Sequence, residues 1–146
     1  RQGDMMIMAR TDARTVFGIE EALERAHAYK EAGADILFVE SPESEEEMRR
    51  INTELPDVLT LANMVEGGKT PLYKAHELYE MGFRIVIYPV SALYTATKAV
   101  RETLGLLRQS GDLAEILPMV ESFQNFNEMI GLSGYRQLES ELTEMQ

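Results

Sequence analysis

Four polar side chains stand where short apolar runs of the sequence end, and their chemistry suits the binding of a small anion. They are Arg10, Glu40, Asn63 and Ser91. A guanidinium can hold a carboxylate through two parallel hydrogen bonds, and an amide N–H can stabilise an oxyanion. We interpret Arg10, Asn63 and Ser91 as candidate substrate-binding residues and Glu40 as a candidate catalytic group.

Each of these side chains also has a purely structural interpretation, and the residues alone leave both open. Arg10 could pair with Asp12, two residues further on, and so fix a loop. Glu40 could belong to a structural ion pair, Asn63 could shape a turn, and Ser91 could be the N-cap of a helix.

A polar loop follows Asn63 and carries two further candidates, Glu66 and Gly67. Glycine lets the backbone approach a ligand closely, and Glu66 could be a general acid or base or simply a loop carboxylate. Pro89 directly follows the apolar run at 84–88, two residues before Ser91, and is a further candidate site residue. The two adjacent glycines do not form a nucleotide-binding pattern, because neither G-x-G-x-x-G nor a P-loop occurs here.

The elements that would position these residues follow a regular alternation. Apolar runs at 5–9, 36–39, 58–62 and 84–88 predict strands, and helices are predicted at 19–32, 44–55, 72–81 and 93–109. A strand followed by a helix every ~20–30 residues is typical of βα units with a parallel sheet. Right-handed crossovers would bring all the strand ends to one edge of that sheet.

The remainder, 112–146, predicts helices without strands, with a break at Pro118. We expect 1–111 to form the βα part and 112–146 a helical tail that packs on a neighbouring subunit or across the βα part. His27 and His76 fall inside predicted helices and are expected at the surface.

Bulk properties exclude several classes of function. The net charge of −11 argues against binding to nucleic acid. No apolar run approaches the ~20 residues of a membrane span, and the absence of Cys is compatible with a cytoplasmic protein. No pair of histidines or carboxylates has the spacing of metal ligands.

Four segments together resemble the isocitrate lyase / phosphoenolpyruvate mutase superfamily. They are MARTDA (8–13), FVES (38–41), LANMVEGGKTP (61–71) and IYPVSAL (87–93). They look like the fifth to eighth strands of that family's TIM-like (β/α)8 barrel. The resemblance implies that Arg10 binds substrate, that Glu40 is an active-site residue and that Asn63 contacts the substrate.

The resemblance further implies Mg²⁺ dependence, an enolate intermediate and a homo-oligomer that exchanges a C-terminal helix. A complete barrel typically needs ~250 residues, so 1–111 is expected to be its C-terminal half. The aspartates that organise Mg²⁺ and the loop with the catalytic Cys are then expected upstream of this chain. No metal ligand is predicted within it, and the chain alone is expected to be inactive.

Two positions favour one branch of the superfamily. The resemblance implies that methylisocitrate lyases carry two arginines, which bind a tricarboxylate, at the positions where this sequence has Tyr94 and Phe126. Their absence favours the branch of dimethylmalate lyases, petal death proteins and carboxyphosphonoenolpyruvate mutases. The implied reaction is C–C bond cleavage of a small malate-type dicarboxylate. The alternatives are phosphonomutase chemistry on the same fold and an inactive fragment or structural partner.

Overall fold

Four short strands form one parallel sheet in the computed structural model, which describes residues 3–144. The strands are β1 (Met8–Thr11), β2 (Ile36–Val39), β3 (Leu59–Asn63) and β4 (Ile85–Ile87). Each strand pairs with the next one along the chain, in the order β1-β2-β3-β4. The carboxyl ends of the strands therefore lie at one edge of the sheet, as the alternating pattern predicts.

Helices follow the strands and continue beyond them. They are α1 (Ala13–Phe17), α2 (Ile19–Glu31), α3 (Glu45–Glu54), α4 (Ala75–Glu80), α5 (Ser91–Ser110), a short 3-10 helix (Leu117–Met119), α6 (Phe123–Met129) and α7 (Leu132–Glu144). The chain divides into two compact units, one ending at Tyr94 and the other beginning at Thr95. None of the helices within residues 3–144 is both long and apolar enough to cross a membrane.

The two faces of the sheet carry separate apolar clusters. Leu37 and Val39 pack in one cluster with side chains of α2, α3 and α4. Phe38 and Leu61 belong to a second cluster on the opposite face. Because successive residues of a strand point to opposite faces, alternate positions of β2 and β3 point away from the helices.

The sheet confirms the predicted number, order and direction of the strands, and β2 has the predicted bounds. The first strand differs, because Met5 to Ile7 precede β1 and are exposed. The predicted strand therefore starts three residues too early. Pairing begins where Met8 meets Ile36, and just before it the Ile7 carbonyl accepts from the N–H groups of Asp35 and Ile36.

The helix boundaries depart from the predictions where a side chain, rather than a proline, defines the start. α4 begins at Ala75, because the Lys74 N–H donates to the carboxylate of Glu77 at 2.7 Å. Pro71 therefore precedes the helix instead of lying in its first turn. In the second unit, Pro118 lies within the 3-10 helix and Gly134 lies inside α7.

The turn between α4 and β4 depends on Gly82. Its φ is +110°, and a β-carbon there would lie 2.6 Å from that of Asn52. Asn52 donates from its amide to the carbonyl of Met48 at 3.1 Å and accepts from the Thr60 hydroxyl. These bonds hold Asn52 in place, so only glycine fits at position 82 without displacing α3.

Candidate active site

Three of the four predicted strand-end residues come together at the carboxyl edge of the sheet. The Arg10 Nη2 lies 3.3 Å from the Glu40 Oε2. The Asn63 amide donates to the same oxygen at 3.3 Å. One carboxylate oxygen therefore joins groups from three neighbouring strands, which is the arrangement that strand-end active sites of parallel sheets use.

The register of the sheet explains this convergence. Arg10 lies inside β1, one residue before its end, and pairs with Phe38 of β2. Glu40 is two residues beyond Phe38, and Asn63 is two residues beyond Leu61. All three therefore share the face of the Phe38–Leu61 cluster, opposite the helices. The Glu40 N–H donates to the Thr11 carbonyl at 3.0 Å, which extends the ladder by one residue.

Glu40 is the best-enclosed charged group of this site. Its side chain is 15% exposed, and its Oε1 accepts from the Ser41 hydroxyl at 3.1 Å. With the two contacts to Oε2, donors from Arg10, Asn63 and Ser41 converge on one carboxylate. A carboxylate held this way is aimed and charge-compensated, so the geometry accommodates both the ion pair and the active-site interpretation.

Arg10 combines a structural pair with an open side. Its Nε and Nη2 donate to Asp12 at 3.1 and 2.7 Å, and its guanidinium stacks 4.7 Å above the ring of Phe38. The hydrogen bond from Arg10 lowers the pKa of Asp12. The arginine side chain remains 49% exposed. Because Asp12 takes the Nε–Nη2 edge, a ligand carboxylate would meet the Nη1 side.

Asn63 presents an acceptor to any ligand. Its amide nitrogen faces Glu40, which fixes the orientation of the side chain. Its Oδ1 is buried and has no hydrogen-bond partner within residues 3–144. A buried carbonyl oxygen without a donor is unfavourable, so this atom suits a ligand that carries a hydroxyl. The expectation from the sequence was an N–H donated to an oxyanion.

A cavity of about 330 Å³ adjoins Glu40 and Asn63, and Arg10 reaches its edge only through the contact with Glu40. It is lined by Glu40, Ser41, Asn63, Thr15, Val65, Gly68, Lys69 and Thr70. The lining combines one cation, one carboxylate and several hydroxyl or amide groups. Its volume lies at the lower end of the range for small-molecule sites.

The other predicted site residues form a separate pair or lie in turns. The Ser91 hydroxyl donates to the Glu66 carboxylate, and this bond lowers the pKa of Glu66. Ser91 is already the first residue of α5, so the N-cap interpretation is wrong. Gly67 has a φ of +75° in an exposed turn, and Pro89 lies in the exposed turn before α5.

Sequence reasoning missed Arg14, which is four residues beyond Arg10. Its Nε and Nη2 donate to both oxygens of Glu47 at 2.9 and 2.7 Å. Its Nη1 lies 2.6 Å from Glu43. A second arginine so close to Arg10 was the only hint in the sequence. The partners of Arg14, however, lie on α3 and in the segment before that helix.

The described residues do not fit a metal site. No group of three or more His, Asp or Glu side chains within residues 3–144 is placed to hold a metal ion. Glu40, the carboxylate closest to the cavity, already faces the cation of Arg10. His27 and His76 are exposed on α2 and α4, as predicted.

Comparison with known proteins identifies relatives of the whole chain. It is 54% identical over 136 residues to the 2,3-dimethylmalate lyase of Eubacterium barkeri, covering 93% of this chain and 47% of that protein. A crystal structure of 2,3-dimethylmalate lyase, a PEP mutase/isocitrate lyase superfamily member, matches with a TM-score of 0.86 and 36% identity, covering 96% and 46%. The structure of a phosphonopyruvate hydrolase complex with oxalate and Mg²⁺ matches with a TM-score of 0.79 and 27% identity, covering 95% and 50%.

These matches confirm the resemblance to the superfamily and the fold class, four βα units of a TIM-like barrel. The chain spans about half the length of the curated relatives it matches. The family model described as phosphoenolpyruvate phosphomutase matches residues 1–108. That family model covers about three-quarters of the chain, and the dimethylmalate lyase is 54% identical to it. The chain therefore belongs to the phosphoenolpyruvate mutase / isocitrate lyase family.

Proposed function

We propose that the protein carrying this chain is a lyase that cleaves a carbon–carbon bond of a small malate-type dicarboxylate. The observation that carries the proposal is the convergence of Arg10, Glu40 and Asn63, of which Glu40 and Asn63 line a cavity of about 330 Å³. The Arg10 guanidinium suits a substrate carboxylate, and the unpaired oxygen of Asn63 suits the hydroxyl of a 2-hydroxy acid. The similarity to a 2,3-dimethylmalate lyase supports the same reaction class.

Each residue has a distinct role in this proposal. Arg10 binds a substrate carboxylate through its Nη1 side, since Asp12 holds the other edge. The Oδ1 of Asn63 accepts the hydrogen bond of the 2-hydroxyl and so directs that O–H group. Glu40 accepts from Arg10 and Asn63 and so holds both side chains in the positions that bind the substrate.

The reaction itself is a retro-aldol type of cleavage. A base that we propose to lie outside residues 3–144 takes the proton of the 2-hydroxyl as its C–O bond becomes C=O, and the bond between carbons 2 and 3 breaks. The electron pair moves onto the carboxylate of carbon 3 as an enolate, which then takes up a proton. The products are a 2-oxo acid and a simple carboxylic acid.

We also propose that the complete enzyme depends on Mg²⁺, with its ligands outside residues 3–144. The Mg²⁺ in the related phosphonopyruvate hydrolase complex supports this proposal. Because the described residues offer no metal site, the activity is proposed for the protein that carries this chain and not for the chain alone. Ser91 and Glu66 are proposed to shape the loop beside the site.

The proposed substrate has two carboxylates, not three. The resemblance implies that Tyr94 and Phe126 replace two arginines of methylisocitrate lyases. Each lost charge-assisted hydrogen bond would cost ~1.5–3 kcal/mol of binding, so a tricarboxylate would bind poorly. The phosphonomutase alternative shares Arg10 and Asn63 and differs in the bond that breaks, so product identity separates the two.

We further propose a homo-oligomer in which the helices of the second unit pack on a neighbouring copy. Large apolar side chains on or beside α6 and α7 support this, since Phe123, Met129 and Tyr135 are each more than two-thirds exposed. Such side chains are usual at subunit interfaces.

The test is the release of a 2-oxo acid from a series of 2-alkylmalates by the full-length protein, with and without Mg²⁺. We expect Arg10→Gln to raise KM by about 10- to 100-fold, the value of one charge-assisted hydrogen bond. Arg25→Gln is the matched control, because Arg25 forms an exposed pair with Glu21 on α2. Failure of every 2-alkylmalate, or an equal loss in the control, would contradict the proposal.

A further inference from the structure

Arg14 binds two glutamates that frame the segment after Glu40. Its fork of Nε and Nη2 meets both oxygens of Glu47 on α3, and its Nη1 meets Glu43. The side chains of Arg14 and Glu47 are each 17% exposed. An arginine that engages two carboxylates with three of its nitrogens, largely out of water, holds them far more firmly than a surface pair does.

The segment held in this way is short and begins at the candidate catalytic group. Five residues, 40–44, connect the end of β2 to the start of α3. At its far end, the Glu43 N–H donates to the Glu47 carboxylate at 2.7 Å, and the Glu47 N–H donates to the Ser44 hydroxyl at 3.1 Å. Arg14 therefore fixes the carboxylate that anchors this end.

At its near end, the segment is strained. Ser41 has a φ of +58°, a conformation that residues other than glycine adopt rarely. The same residue donates its hydroxyl to Glu40. Such a conformation persists only where the surroundings hold it, and the buried Pro42 and the anchored Glu43 follow it directly.

A third strand-end loop joins the same network. Lys69, in the loop after β3, lies 3.6 Å from Glu43 and lines the cavity beside Glu40 and Asn63. Glu43 is therefore placed between a cation on α1 and a cation in the β3–α4 loop. The segment 40–44, which follows β2, is therefore held by side chains that follow the two neighbouring strands, β1 and β3.

We propose that Arg14 is a positioning residue that holds the segment 40–44, and with it the Glu40 carboxylate, in the geometry needed for catalysis. It acts through Glu47 and Glu43 and touches no substrate. The placement of the segment stands on the structure alone, whereas its catalytic consequence rests on the proposed function. The two parts are therefore tested by separate measurements.

The first measurement is hydrogen–deuterium exchange, in the full-length protein, of the Glu43 and Glu47 amides, which donate to the Glu47 carboxylate and to the Ser44 hydroxyl. We expect Arg14→Gln to speed their exchange about tenfold or more, because an anchoring charge-assisted pair is lost. Arg49→Gln is the control, since Arg49 pairs with Glu45 on the exposed side of α3, the helix that also carries Glu47. Unchanged exchange in Arg14→Gln, or an equal rise in Arg49→Gln, would overturn the proposal.

The second measurement is steady-state kinetics in a double-mutant cycle. We expect Arg14→Gln to lower kcat by about 10- to 100-fold, the usual consequence of a small misplacement, with little change in KM. In a Glu40→Gln background the same change should have little further effect, and Arg14→Lys should restore only part of the loss. An equal loss in both backgrounds would show that Arg14 does not act through Glu40.

The two measurements also separate the failure of each idea. If the wild-type protein cleaves no 2-alkylmalate, the proposed function fails, and the exchange of the Glu43 and Glu47 amides still decides whether Arg14 holds the segment. If cleavage is found and exchange is unchanged in Arg14→Gln, the proposed function stands and the positioning role of Arg14 is refuted.

Discussion

Replacing Glu40 by glutamine and by alanine separates the charge of its carboxylate from its hydrogen bonds. Three donors face this side chain, from Arg10 and Asn63 on Oε2 and from Ser41 on Oε1. Glutamine keeps one oxygen for Arg10 and Asn63 and turns its NH₂ toward Ser41. The Ser41 hydroxyl can rotate and accept, so all the hydrogen bonds of the cluster can be rebuilt without the charge.

The structure therefore predicts two different losses of stability. Glu40→Gln changes a charge-assisted contact into a weaker one, and because Arg10 is half exposed the expected loss is about 1 kcal/mol of unfolding free energy. Glu40→Ala removes every acceptor and leaves the Asn63 amide and the Ser41 hydroxyl unpaired. That adds the cost of unsatisfied groups and brings the loss to about 2–3 kcal/mol.

Urea unfolding followed by far-UV circular dichroism measures both losses, because the sequence contains no tryptophan to report by fluorescence. Glu24→Gln and Glu24→Ala, on the exposed side of α2, are the matched controls and should each change stability by less than about 0.5 kcal/mol. Equal losses for the two Glu40 variants, or a gain for Glu40→Gln, would refute the account of a carboxylate that organises its donors.

Two further predictions concern groups away from the cavity. Burial raises the pKa of Glu47, but the bonds from Arg14 and the Glu43 N–H outweigh it and leave this pKa below the ordinary value of 4.5. The unfolded state then binds more protons, so stability present above pH 4.5 should be lost as the pH falls through the lower folded value. Glu47→Gln should remove this part of an acid unfolding profile, and an unchanged profile would contradict the assignment. Gly82→Ala should lower the unfolding free energy by about 2–4 kcal/mol in urea unfolding, from its positive φ and the contact with Asn52; a loss below about 1 kcal/mol would show that α3 yields easily.

The arrangement of the sheet follows directly from the sequence, because short apolar runs that alternate with amphipathic segments have few other solutions. The exact ends of the strands do not follow in the same way. β1 begins at Met8 only because β2 begins at Ile36, and a pairing partner about thirty residues away leaves no local mark on Met5 to Ile7. Within residues 3–144 β1 is an edge strand with one neighbour, β2, and the apolar residues before it lie exposed.

The candidate site shows the same division. Arg10, Glu40 and Asn63 could be placed together because each stands at or near the end of a strand and the strands are neighbours. The orientation of Asn63 could not, since it depends on which oxygen of Glu40 faces its amide. Arg14 was missed for a related reason: its partner Glu47 is 33 residues away, and no periodic pattern links an arginine to a helix of the next βα unit.

The strictly sequential order of the sheet has a consequence for how the protein folds. Each strand docks only on the strand that precedes or follows it in the chain, so every ladder closes a loop of about one βα unit and the entropy cost of each closure is modest. The contact between Arg10, Glu40 and Asn63 spans three such units and can form only after two successive ladders have zipped together. The cluster therefore cannot be complete before β1, β2 and β3 have paired, and its formation reports that the sheet has propagated across them.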